Sequence, residues 1–376
     1  MSKTLAREWP RRLGREWPLL AGIATAALFL AFGKGWLADL SSAAWFTFLL
    51  AWLFGVILAS AFAVVRHAEG LADRTGEPLG TLVLTLCMSG MEMMMITAVM
   101  YEGERESALA RDTMFAIVMI VLNGLIGVCL LLGGLRYHEQ TYNLYGANAF
   151  LAVLLPLTVL GLVLPTFTVS SPGPTLSPLQ ATFLIVMSVG LYAVFLAIQT
   201  RRHRDYFVAP AAASAPAAAH GTEAHGGSSA THGLLLLAYA PLIVLLAKYI
   251  AVPVDHAIHV LRAPAALGGL LVAVLILSPE SLAAVRAARA NQLQRSINLA
   301  LGTALSSISL TVPAVLLIGF VTDRSIVLGL DAASTILLVL TLAVSMLTFA
   351  LERTNVLLGA VHLLLFLAYL MLIFER

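Results

Sequence analysis

Two glutamates carry the chemistry on offer. Glu92 is the one charge in the stretch from Leu79 to Met100, and Glu280 is the one charge from Leu267 to Val285, directly after Ser278-Pro279. Each stretch is about the length that crosses a bilayer, roughly 20 residues. A carboxylate at that depth is costly, so an intramembrane ionisable residue is read first as functional. The two stand 188 residues apart in a chain of 376, half its length.

Two carboxylates buried together without a cation repel each other, and both lose hydration. Protons or a divalent cation remove that penalty. The same oxygens then hold protons or a cation, and this competition is the physical basis of antiport. Calcium takes roughly six to eight oxygens, of which two carboxylates supply at most four. Carbonyls freed by helix breaks at Gly90 and Pro279, with the side chains of Ser89, Ser278, Asn123, Ser306 and Ser307, are the candidates for the rest. No Cys, His or Met cluster built for a soft transition metal accompanies the glutamates.

Plainer roles compete for several of these residues. A lone intramembrane Glu can be a structural hydrogen-bond partner, a reading weakened when two occupy matched places. Asn123 and the Ser306-Ser307 pair can simply join helices. Met91, Met93, Met94 and Met95 read as packing, and the acidic run Glu102-Gly103-Glu104-Arg105-Glu106 as solvated surface.

The elements that position these groups are membrane helices. Hydrophobic residues make up 60% of the chain, charged residues 11%, and mean hydropathy is +0.93; a soluble domain is about a quarter charged. The net charge of +2 and two cysteines, both in apolar runs, point to neither a nucleic-acid partner nor a disulfide framework. Phosphate-loop and hydrolase motifs are absent, and no nucleophile–base pair accompanies the glutamates, which speaks against an enzyme.

The apolar pattern predicts an all-α membrane protein of eleven transmembrane helices. A basic N-terminus and extra first helix (1–43) precede a first five-helix repeat (44–200). A flexible Ala/Pro/Gly/His-rich linker (201–233) leads to a second five-helix repeat (234–376). The linker histidines His220, His225 and His232 read as part of a polar tether rather than a metal site. With the N-terminus cytoplasmic, fifteen Lys and Arg fall on the cytoplasmic side and seven opposite, as the positive-inside rule requires. Five is odd, so the second repeat is inverted relative to the first. Glu92 and Glu280 both lie on the second helix of their repeats, and counting on from Arg111 and Arg295 sets Asn123 opposite Ser307. Inverted repeats with broken helices mark secondary transporters, whose sites lie near the bilayer midplane.

At these residues the chain resembles the ChaA-type bacterial calcium/proton antiporters of the cation/calcium exchanger superfamily. The resemblance rests on Gly76-Glu77-Pro78-Leu79-Gly80-Thr81 leading to Glu92, on Ala110-Arg111-Asp112-Thr113, on Asn123-Gly124, on Ser278-Pro279-Glu280 and on Asn291-Gln292-Leu293-Gln294-Arg295-Ser296. It spans nearly everything after the first helix. It implies two inverted five-helix repeats with one essential glutamate in each, here Glu92 and Glu280. Ser89-Gly90-Met91 departs from the more β-branched sequence expected before that glutamate.

The expectation is therefore a calcium/proton antiporter of a bacterial inner membrane, with sodium and potassium as further substrates. Its partners are inorganic cations, protons and the lipid bilayer, with no resident cofactor, and a homo-oligomer is compatible with the sequence. A cation channel is the alternative; it would conduct without obligatory proton movement.

Overall fold

In lipid every backbone polar group must be satisfied within the chain, which leaves helices as the economical solution for apolar runs of this length. The computed structural model describes residues 16–75, 79–102, 108–209, 228–260, 264 and 266–375. Its helices, in chain order, are α1 (Trp17–Ala38), α2 (Ala43–Thr75), α3 (Leu79–Glu102), α4 (Leu109–Tyr137), α5 (Leu144–Phe167), α6 (Pro178–Arg202), α7 (Ser229–Val260), α8 (Ala266–Arg289), α9 (Leu293–Thr322), α10 (Ala332–Thr348) and α11 (Val356–Phe374). Among the described residues nine of these are long and apolar enough to cross a membrane. The other two, α3 with its apolar part Leu86–Thr97 and α10, carry shorter apolar stretches. They fall where the sequence pattern predicts the third and tenth crossings.

The sets α2–α6 and α7–α11 repeat one plan. The most deeply buried spans are α4 and α9, with 83% and 67% of their apolar cores enclosed, against 28% for α1, α6 and α11. Each is the third helix of its set, so both sets place the same member at the centre. Both also carry a π-helical turn there, Ile120–Leu125 in α4 and Ser307–Thr311 in α9.

The helix breaks expected at Gly90 and Pro279 are not formed. Helix α3 runs through Ser89-Gly90 and α8 through Pro279 without interruption. Proline removes one N–H and so one intrahelical bond, yet membrane helices tolerate it where neighbouring groups re-satisfy the backbone. The Ser278 hydroxyl, one residue earlier, donates to the Val274 carbonyl at 2.5 Å. The irregular backbone lies instead in the π turns of α4 and α9, with two more at Val159–Val163 and Ile198–Arg202.

Loops at one end join the halves. Strand β1 (Gln140–Thr141), after α4, pairs antiparallel with β2 (Arg353–Thr354), before α11. Gln140 Nε2 donates to the Ala288 carbonyl and to Asn291 Oδ1, and Gln294 Oε1 accepts from the Asn143 N–H. Asn291 and Gln294, without a role in the sequence reading, thus lock the α8–α9 turn to the α4–α5 turn. Asn291 adopts φ +59°, a left-handed conformation that asparagine tolerates.

Small residues permit two close approaches between the sets. A Cβ on Gly269 of α8 would stand 2.7 Å from the backbone of Asp112 and Thr113 in α4, and one on Gly359 of α11 would stand 2.5 Å from the Leu131 N. Without a hydrophobic drive between helices in lipid, such contacts carry much of the association. Met91 and Met95 lie in the core, as packing residues should. Both Cys87 and Cys129 are free.

One boundary moves. Helix α7 begins at Ser229, so His232 is a buried helical residue and not part of a tether. Residues 1–15, Gly76-Glu77-Pro78, the acidic run from Gly103 to Glu106, and His220, Glu223 and His225 lie outside the described residues.

Candidate ion-binding site

Glu92 and Glu280 come from the second helix of each set, α3 and α8, at nearly equal depth from the helix start. Glu92 is 2% exposed and Glu280 is half-buried. The two carboxylates stand within electrostatic reach of each other. Glu69 of α2, which the sequence reading did not single out, is within reach of Glu280.

A single helix face serves both glutamates. The Ser307 hydroxyl donates to Glu92 Oε2 at 2.6 Å and the Thr311 hydroxyl to Glu92 Oε1 at 3.2 Å. The Thr303 hydroxyl donates to Glu280 Oε2 in a short contact. Thr303, Ser307 and Thr311 follow one another at intervals of four along α9, a spacing that keeps side chains on one face. The π turn Ser307–Thr311 starts at the middle member; such turns recur at functional sites because they re-aim side chains and loosen the backbone ladder.

The Thr303 hydroxyl also lies 2.9 Å from the Leu299 carbonyl. It has one proton and two acceptors. When Glu280 is ionised, that proton goes to the carboxylate. When Glu280 is protonated, the carboxyl donates to Thr303 and the hydroxyl turns to Leu299. The Thr303 proton therefore follows the charge on Glu280.

The remaining candidates separate into three groups. Ser307 stands at the glutamate, and the Ser89 hydroxyl, one turn before Glu92, is buried with no hydrogen-bond partner. Beside it Gly90 faces open space, with nothing within 4 Å of where a Cβ would point. Ser278 and Ser306 are turned to their own helices, Ser278 to Val274 and Ser306 to the Thr303 carbonyl. Asn123 is elsewhere. Its Nδ2 donates to Thr341 Oγ1 at 2.8 Å, and its Oδ1 accepts from His362 Nδ1 at 3.3 Å. Thr348 completes the chain at 2.9 Å from His362 Nε2. Because an amide oxygen only accepts, the His362 proton is on Nδ1 and the Thr348 hydroxyl donates to Nε2. This buried network ties α4 to α10 and α11 rather than facing the carboxylates.

Thr303, Thr311, Glu69 and His362 escaped the sequence reading. The interval of four from Thr303 through Ser307 to Thr311 was the available signal for the first two. For His362 it was the lone histidine inside the apolar run of α11.

The set of oxygens at the glutamates is hard: carboxylates and hydroxyls, without thiol or imidazole. Among the described residues no cluster of three or more His, Cys, Asp or Glu forms a metal site of the closed protein type. Such a site can take an alkali or alkaline-earth cation, or protons, and exchange them.

Residues 45–201 and 231–375 match the sodium/calcium exchanger protein family. Over 319 residues the chain is 41% identical to the sodium-potassium/proton antiporter ChaA of Escherichia coli (strain K12), covering 85% of this chain and 86% of that protein. Among solved structures it resembles native YfkE at a TM-score of 0.72, with 16% identity and coverage of 96% of this chain and 100% of that one. It also resembles the H+/Ca2+ exchanger CAX at a TM-score of 0.64, with 16% identity and coverage of 95% and 88%.

Proposed function

Since the chain belongs to the sodium/calcium exchanger protein family, we propose that it is a cation/proton antiporter of a bacterial inner membrane, exchanging calcium for protons at Glu92 and Glu280. One observation carries the reading. Carboxylates from matched places in the two halves meet a single hydroxyl-bearing face of α9.

In the cation-free state those hydroxyls donate to the carboxylates. A calcium ion entering between Glu92 and Glu280 takes the carboxylate oxygens, and the hydroxyls turn their lone pairs to the ion. Two carboxylates with Ser89, Thr303, Ser307 and Thr311 hold enough oxygen for a coordination number of roughly six to eight. Protons arriving at the carboxylates remove the charge that holds the ion, so binding of the two is mutually exclusive. The N-terminal end of α1 faces the cytoplasm, as the excess of Lys and Arg on that side supports.

A second reading is favoured by the name of the E. coli relative, a sodium-potassium/proton antiporter: sodium or potassium takes the place of calcium in the same site. Everted vesicles loaded with a pH gradient separate these readings. Addition of calcium should dissipate the gradient, and parallel additions of sodium and potassium measure selectivity. Steady conductance without proton movement would overturn antiport in favour of a channel.

A further inference from the structure

At the end of the bundle where α1 begins, a second group of titratable side chains is buried. His67, in the last third of α2, is 4% exposed, and so is His232, in the first turn of α7. Their Nδ1 atoms face each other at 3.0 Å. The other nitrogen of His67, Nε2, lies 3.1 Å from Glu16 Oε2, just before α1. Arg66 donates to Glu16 Oε1 at 2.8 Å and the Tyr239 hydroxyl of α7 to Oε2 at 3.2 Å. Gly70 makes room for the pair, since a Cβ there would stand 2.7 Å from the His232 ring.

Proton counting defines what this contact tolerates. Glu16 accepts from His67 Nε2, so that nitrogen carries a proton. Between the two Nδ1 atoms there is space for one proton. It belongs to His232 when the pair is neutral and can belong to His67 when the pair has gained one proton. With both rings protonated, two N–H groups and two positive charges point at each other, and the contact cannot persist. Burial works against the charge of Glu16, but the His67, Arg66 and Tyr239 interactions outweigh it and hold its carboxyl below the usual range. Glu16 thus stays ionised as the acceptor for His67. Glu16 contacts His67 and in turn accepts from Arg66 and Tyr239, and Glu69, Asp73 and Arg74 continue along α2 beyond the pair.

We propose that His67 and His232 form a proton-operated latch between the two halves of the chain, a proton-binding site separate from the transport site. The latch joins the first helix of one half to the first helix of the other, and Glu16 fastens the extra helix α1 to the same point. It holds at neutral and alkaline pH and opens when cytoplasmic acidification protonates both rings. The native contact has room for one proton fewer than two separate imidazoles accept, so its contribution to stability rises with pH and is lost on the acid side. Opening slows exchange by separating the cytoplasmic ends of α2 and α7.

This goes beyond the antiport reading, and its first test does not depend on what the protein carries. Thermal unfolding of the full chain in detergent is followed between about pH 5 and about pH 8, for the wild type and for His67→Gln, His232→Gln and the double variant. The expected result is a wild-type midpoint above the variants at the alkaline end by about 2 °C or more, with the gap closing on the acid side. Gly70→Ala keeps both imidazoles and displaces the His232 ring, and should remove the same pH-dependent gap if the glutamine variants fail to fold. A gap constant with pH would overturn the latch. In reconstituted vesicles the double variant should retain exchange at about pH 8 and lose the steep acid fall of the wild type. Superimposable acid profiles would overturn its control of transport.

Discussion

Glu92 and Ser307 are separated by 215 residues and come from opposite halves of the chain, yet the serine hydroxyl reaches the carboxylate at 2.6 Å. The bond crosses the interface at which the two sets of helices meet. It is also one of two donors to a carboxylate with almost no exposure. Removing it leaves a buried charge under-satisfied and takes away an oxygen for the cation. Ser307→Ala should therefore weaken apparent calcium affinity by about tenfold or more, from a charge-assisted bond worth about 1.5–3 kcal/mol. Thr311→Val, with the longer bond, should cost less. The calcium dependence of exchange in everted vesicles measures both, and an unchanged half-maximal concentration in Ser307→Ala would separate Ser307 from the site.

Glu92→Gln and Glu280→Gln should each abolish exchange while the protein still inserts and purifies. Glutamine keeps the volume and a carbonyl acceptor but can neither carry the charge nor gain a proton. For Glu280→Gln, the Thr303 hydroxyl can still donate to the amide oxygen, so the local packing is retained. Exchange at the wild-type rate in either variant would sink the two-glutamate site.

The membrane class was legible in composition, and the two glutamates stood out because each is one charge within some twenty apolar residues, at matched places that weaken the structural reading of a lone carboxylate. Matched positions in the two halves led on to Ser307. The same count placed Asn123 at the carboxylates, and there it failed. Asn123 lies in the π turn Ile120–Leu125, where the wider winding shifts which face a side chain occupies, and sequence spacing assumes an unbroken 3.6 period. The breaks expected at Gly90 and Pro279 failed for a related reason: glycine and proline lower helix propensity, but within lipid the alternative leaves backbone groups unsatisfied. Thr303 and Thr311 were passed over because hydroxyls are common in membrane helices. Only the face of α9 turned to the carboxylates distinguishes them.

Gly269→Ala tests how closely α8 and α4 must approach. The added methyl would meet backbone atoms of Asp112 and Thr113 at 2.7 Å, and backbone cannot swing aside as a side chain can. The helices must separate, with a cost typical of overpacking, about 1–3 kcal/mol. The thermal midpoint in detergent should fall by several degrees, about 2–4 °C for each kcal/mol. Gly190→Ala is the control, since nothing lies within 4 Å of its Cβ position; it should leave the midpoint unchanged. Equal effects from the two substitutions would mean that the contact at Gly269 is not a constraint.

Proton release on calcium binding follows from competition at the two carboxylates. Where both begin protonated, calcium must displace both protons, so affinity should fall steeply with decreasing pH, towards two protons exchanged per ion. At high pH both are already ionised, no proton remains to be displaced, and affinity should become independent of pH. The two groups face each other electrostatically, so the midpoints of this transition belong to the pair and not to either residue. Calorimetry of calcium binding to the purified protein, repeated in buffers of different ionisation enthalpy, counts the released protons directly. The latch variant His67→Gln should leave that count unchanged, because His67 does not touch the ion. Glu280→Gln should cut the maximal count to one, or abolish binding altogether. A calcium affinity flat across the whole range, with no protons released, would rule out direct competition at Glu92 and Glu280 and move proton coupling to other groups.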